Sequence, residues 1–135
     1  MFKIEEIGNL STPELREFSL GSSKALAKAH AINELARRAL EDESLLGDVC
    51  RAIGNERTWV TRGSPPLGYL GAFRMLDSGN DTAVRHLLEE MNLWSPADQE
   101  DLIRVWAGKG RFTEAIKHFR KRFGWNVGSV DDASR

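Results

Sequence analysis

Cysteine is all but missing from this chain of 135 residues, in which Cys50 is the only one. A single thiol excludes an internal disulfide and a cysteine-based zinc site, and it suits a reducing compartment, of which the cytoplasm is the simplest. Long apolar runs are missing as well. No stretch reaches the roughly 18 apolar residues that a membrane span needs, and Met1-Phe2-Lys3-Ile4-Glu5-Glu6 places acids where a signal peptide requires an uninterrupted apolar region. Neither secretion nor membrane insertion is expected. Charge of one sign is not in excess: Lys+Arg number 19 against Asp+Glu 20, for a formal net charge of −1. There is no global field to gather nucleic acid or an anionic membrane, so any electrostatic recognition has to be local.

The groups that carry most enzyme chemistry are sparse or badly spaced. His30, His86 and His118 fall on separate expected helices, and none stands at metal-ligand spacing from another His, a Cys or a carboxylate. The acids Glu41-Asp42-Glu43, Glu89-Glu90, and Asp98 with Glu100 and Asp101 flank turns or occupy polar faces, whereas acid-base work needs a cleft that raises one pKa. Cys50 shares an apolar stripe with Leu46, Val49 and Ile53, which reads as a buried thiol with no base beside it. Gly21-Ser22-Ser23-Lys24 lacks the pattern of a phosphate loop and follows no strand. The expectation is a protein that is not an enzyme, with no metal and no cofactor.

What is present is helix after helix. Ser11-Thr12-Pro13-Glu14 is a capping box, with Leu10 placed to staple onto Leu15. After Gly21, Ser22 or Ser23 caps a long alanine-rich helix in which Ala25, Ala29, Ile32, Leu35, Ala36 and Ala39 keep a helical period. Ser44 is the expected cap of a third helix carrying the Leu46, Val49, Cys50, Ile53 stripe up to Gly54-Asn55. Residues 56–63 read as an irregular connection, because Thr58-Trp59-Val60-Thr61 has strand-like composition and no partner strand. Ser64-Pro65 is expected to start a helix with Leu67, Leu70, Phe73 and Leu76 on its buried face. Asp81 is expected to cap the next, with Val84, Leu87, Leu88 and Met91 on one side. Ser95-Pro96 repeats the start signal for Leu102, Ile103, Val105 and Trp106, and a last helix opening near Thr113 carries Ala115, Ile116, Phe119 and Phe123 to Gly124. Residues 128–135 are small or charged and read as a flexible tail, leaving 1–127 as one domain.

Two stretches echo each other. Ala31-Ile32 with Leu35 recurs 41 positions later as Ala72-Phe73 with Leu76, an offset in the roughly 40–47 residue range of stacked helical hairpins. The stretch Ala72-Phe73-Arg74-Met75-Leu76 through Asp81-Thr82-Ala83-Val84-Arg85 resembles the HEAT pattern, and the resemblance implies that Asp81 caps its helix and that Arg85 ladders onto a neighbouring repeat. Leu102, Trp106, Gly110, Phe112, Ala115 and Phe119 resemble one tetratricopeptide hairpin, although Arg122 stands where that family has a small residue and no proline closes the unit after Trp125. The expected fold is all-α: six or seven helices as a short right-handed stack of antiparallel hairpins, α-solenoid-like.

Function is expected to reside in surfaces. The last helix is the most asymmetric segment: Lys109, Arg111, Lys117, Arg120, Lys121 and Arg122 are opposed by Glu114 alone, and Lys117, Arg120 and Lys121 share a face by their three- and four-residue spacing. Favourable pairing with the helix dipole is the plain account, and contact with an acidic protein or with phosphates is the functional one. Trp59, Trp94 and Trp125 sit at loop positions, either plugging the ends of the stack or anchoring a partner. Residues 57–69 are the stretch most suited to recognition, with Arg57, Trp59, Arg62 and Tyr69 as candidate contacts. Together with Arg111, Lys117, Arg120 and Lys121 these describe a protein-binding adaptor or scaffold whose partner has an acidic surface. A small stoichiometric inhibitor, such as a bacterial immunity protein or antitoxin, is the alternative; a nucleic-acid-associated protein using the basic last helix comes third, weakened by the net charge.

Overall fold

Several helices in this chain begin where a side chain can answer the amides that a first turn leaves unbonded. In the computed structural model, which describes residues 4–20, 25–57, 65–108 and 110–127, the Glu14 amide donates to Ser11 Oγ at 3.3 Å and the Ser11 amide donates to the Glu14 carboxylate at 3.0 Å. This reciprocal box opens α1 (Thr12–Leu20). Two other caps differ from expectation. Asp42, with extended backbone, accepts from the Ser44 amide and starts a 3-10 turn, Glu43–Leu45, that runs into α3 (Leu46–Asn55). Asn80, and not Asp81, caps α5 (Asp81–Met91) by accepting from the Ala83 amide at 3.2 Å. A cap has to precede the first helical residue, and Asp81 is already that residue. Ser22 and Ser23, expected to cap α2 (Ala25–Ala39), lie outside the described residues, as do Thr58-Trp59-Val60-Thr61 and the tail 128–135.

With α4 (Tyr69–Asp77), α6 (Pro96–Ala107) and α7 (Phe112–Phe123), the described residues form seven α-helices and no strand. The fold is all-α. It divides into two compact units, residues 1–87 and 88–135.

In the first unit α2 is the centre, packing on α1, α3, α4 and the 3-10 turn Ile4–Asn9, most extensively on α4. Its Ala31, Ile32, Leu35, Ala36 and Ala39 are buried, as are Leu46, Val49, Cys50 and Ile53 of α3. Each fully buried leucine or isoleucine contributes roughly 1.5–3 kcal/mol relative to exposure, which is why these stripes fix the packing. The register of α4 departs from expectation. The helix starts at Tyr69 rather than beside Pro65, and its buried residues are Tyr69, Gly71, Ala72, Met75 and Leu76. Leu70 is 42% exposed, and Phe73 and Leu67 are half-buried. The cause lies in two glycines. A Cβ on Gly68 would stand 2.7 Å from the Ile53 carbonyl oxygen, and one on Gly71 would stand 2.8 Å from Ile32 Cγ2. Only a residue without a side chain allows that approach, so α4 turns its small residues inward and carries Leu70 and Phe73 towards the outside.

The second unit is held by aromatic rings. Ser95 caps α6 by accepting from the Asp98 amide, with Pro96 in the first turn, and Leu102 and Ile103 are buried. Trp106 stacks on Phe119 at 5.6 Å, and Trp125 meets the same ring edge-on at 5.9 Å. The Trp125 indole donates to Asn92 Oδ1 at 2.8 Å, and Gln99, itself buried, donates to the Met91 and Trp94 carbonyls at 2.7 and 3.2 Å. Trp94 and Trp125 are 4% and 5% exposed, so both belong to the core and neither is an exposed anchor. Gly124, at φ +67°, ends α7 in the left-handed conformation.

Candidate functional site

The first candidate surface is the outer face of α7. Its apolar side, Ile116 and Phe119, is buried, which leaves Lys117, Arg120 and Lys121 exposed, with Arg111 exposed just ahead of the helix. Glu114 is the only acid on α7. Among the described residues no carboxylate pairs with Arg111, Lys117, Arg120 or Lys121; Arg120 donates instead to the neutral Asn126 Oδ1 at 2.9 Å. Arg120, Lys121 and Arg122 occupy the last turn, where cations complement the helix dipole. Lys117 lies a turn earlier, beyond the reach of that effect. The result is a solvent-facing cationic strip on an aromatic-backed helix.

Of the expected recognition stretch, residues 57–69, the described ends are tied to neighbouring elements. The Gly68 amide donates to the Glu56 carbonyl at 3.2 Å, and the Glu56 carboxylate pairs with Lys28 of α2 at 3.3 Å. Arg57 is half-buried and, just past α3, donates to the Gly54 carbonyl at 2.8 Å at the end of that helix. Tyr69 is 1% exposed, with its ring 5.8 Å from that of Phe73. It is a core residue and presents no surface to a partner, because the start of α4 is drawn against α3 at Gly68. Trp59 and Arg62 lie outside the described residues.

A second surface, in the first unit, was not legible in the sequence. Leu40 of the segment after α2, with Asn33, lines an open groove of about 430 Å³ whose other wall is Leu70, Phe73, Arg74, Asp77 and Ser78. Arg74 Nε donates to Asn33 Oδ1 at 2.7 Å, a contact across the same 41-residue offset as the sequence echo. The available signal was the small residues Gly68, Gly71 and Ala72, whose face, shared with Met75, competes with the Leu67, Leu70, Phe73 stripe and wins it.

The remaining chemistry-bearing groups stay dispersed. His86 Nδ1 lies 2.9 Å from the Thr82 carbonyl of its own helix, His118 packs on Phe119 and Phe123, and Cys50 is buried. Among the described residues no three His, Cys, Asp or Glu side chains converge as a metal site would require, and no helix is long and apolar enough to cross a membrane.

Comparison of the chain with family models, with curated proteins and with solved structures finds no match.

Proposed function

We propose that this chain is a non-catalytic protein-binding module, built as a short stack of helical hairpins, and that the cationic face of α7 receives an acidic surface of its partner. The observation that carries the reading is the set Lys117, Arg120 and Lys121: three exposed cations on one helix face with no carboxylate partner among the described residues. Exposed charges of this kind, unpaired with any described carboxylate, steer encounter and select a complementary surface more than they hold a fold. The repeat reading is supported by the direct packing of α2 on α4 and by the echoed positions, of which Ala31, Leu35, Ala72 and Leu76 are all buried. A cytoplasmic setting is proposed from the single, buried cysteine. The net charge of −1 weighs against a general phosphate-binding role.

The test compares the chain with a Lys117→Glu/Arg120→Glu/Lys121→Glu variant as baits in host lysate at two ionic strengths, and as ligands for a random-sequence DNA duplex. The expected result is a protein partner retained by the wild type, released by salt and absent from the variant, with helicity unchanged and no duplex bound. Equal capture by the variant removes α7 from the interface. Salt-sensitive duplex binding that the variant loses replaces the protein reading with a nucleic-acid one.

A further inference from the structure

We propose that the groove between α2 and α4 docks a segment of a partner protein in which a large aliphatic or aromatic side chain lies within one helical turn of a carboxylate. The apolar side chain would cover Leu70 and Phe73, and the carboxylate would meet Arg74.

The apolar half follows from exposure that packing has not removed. Leu70 and Leu93 are the exposed large hydrophobic residues among those described, and Leu70 is 42% exposed. It stands beside half-buried Phe73 and Leu40 on the groove wall. Phe73 is backed by the buried ring of Tyr69 at 5.8 Å, so the floor is part of the core and is formed before anything binds. An apolar anchor placed there would gain buried area without ordering the receiving surface first.

The charged half follows from how Arg74 is held. Its Nε is engaged by the neutral Asn33 Oδ1 at 2.7 Å, which orients the guanidinium without neutralising it. No carboxylate among the described residues pairs with it. The terminal nitrogens of an oriented arginine form the fork that takes a carboxylate through two parallel hydrogen bonds. The groove is open to solvent rather than enclosed. A free small molecule would keep much of its surface in water, whereas a segment of a folded partner brings its own cover, as in helix-in-groove recognition.

This inference rests on the reading of the chain as a protein-binding module but not on α7, which belongs to the other unit. The probe is a displayed library of random 12-residue peptides selected on the immobilised full chain, followed by fluorescence anisotropy of the enriched peptides in solution. Selection should enrich Leu, Ile, Met or Phe within four residues of Asp or Glu. Leu70→Ser and Arg74→Glu should each weaken binding at least about tenfold, the triple α7 variant should bind as the wild type does, and exchanging the peptide's acid for lysine should restore binding to Arg74→Glu. Both substituted side chains are exposed, and thermal melts confirm that the variants fold. The proposal is overturned if no peptide enriches, if enriched peptides bind both groove variants as tightly as the wild type, or if only the α7 variant loses them. It is equally overturned if sedimentation shows a wild-type dimer that Leu70→Ser dissociates, since the occupant would then be a second copy of the chain.

Discussion

A single methyl group tests how α4 meets its neighbours. Gly71→Ala would place a Cβ 2.8 Å from Ile32 Cγ2 and 3.2 Å from the Ile32 carbonyl oxygen. Overpacking of this kind costs about 1–3 kcal/mol, against a helix-propensity gain of about 0.5–1 kcal/mol, so a net loss between about 0 and 2.5 kcal/mol is expected. Gly68→Ala should cost more, because the atoms it meets are the Ile53 carbonyl oxygen and Cα, at 2.7 and 2.8 Å, and backbone cannot rotate aside as a side chain can. Gly47→Ala in α3 is the control: its added Cβ meets nothing within 4 Å, and a gain of about 0.4–1 kcal/mol is expected from the restricted unfolded chain. Urea titration of the three variants orders them. If Gly71→Ala stabilises as much as Gly47→Ala does, the close approach of α4 to α2 is wrong.

At the scale of the element, the ends and edges of α2 are held by charge as well as by packing. The Arg37 guanidinium donates to both oxygens of Glu34, at 2.9 and 2.7 Å, and Arg38 adds a bond at 2.9 Å while reaching Thr12 Oγ1 and the Gly8 carbonyl. The Arg37 hydrogen bonds, first, then those of Arg38 and the charges of both, hold Glu34 below its ordinary value of 4.5 against the opposing effect of burial. A carboxylate depressed in the folded state contributes its stability above the unfolded pKa and loses it as pH falls through the folded value. Acidification below about pH 4.5 should therefore lower the melting temperature of the wild type more steeply than that of Glu34→Gln. Parallel slopes for the two proteins would show that the triad adds nothing to stability. Much of this level was legible in the sequence: the Ser11 box, the Ser95-Pro96 start and the Gly124 stop depend only on residues within a turn of one another. The caps at Asn80 and Asp42 were missed by one and two positions, since several polar residues cluster there and only the helix start chooses among them.

For the whole molecule, each unit has its own core, which gives a prediction about how damage spreads. Leu35→Ala and Leu76→Ala remove side chains that are 0% and 9% exposed, and each should cost roughly 2–5 kcal/mol. Native-state hydrogen exchange should show the lost protection concentrated in α1 to α4, with α6 and α7 less affected. A uniform loss across α6 and α7 would mean that the two cores unfold as one. What the amino-acid sequence determined by itself is the helical class, the stripes of α2, α3 and α5, and the cationic face of α7. All of these follow from a 3.6-residue period and from local charge. What only the tertiary structure decided is which side of α4 faces inward, and with it the exposure of Leu70, the burial of Tyr69 and the groove at Arg74. Two apolar stripes were available on that helix, and the choice went to the one whose glycines let its backbone reach Ile32 and Ile53. That is a property of residues more than ten positions away: the local pattern offers both stripes and does not rank them.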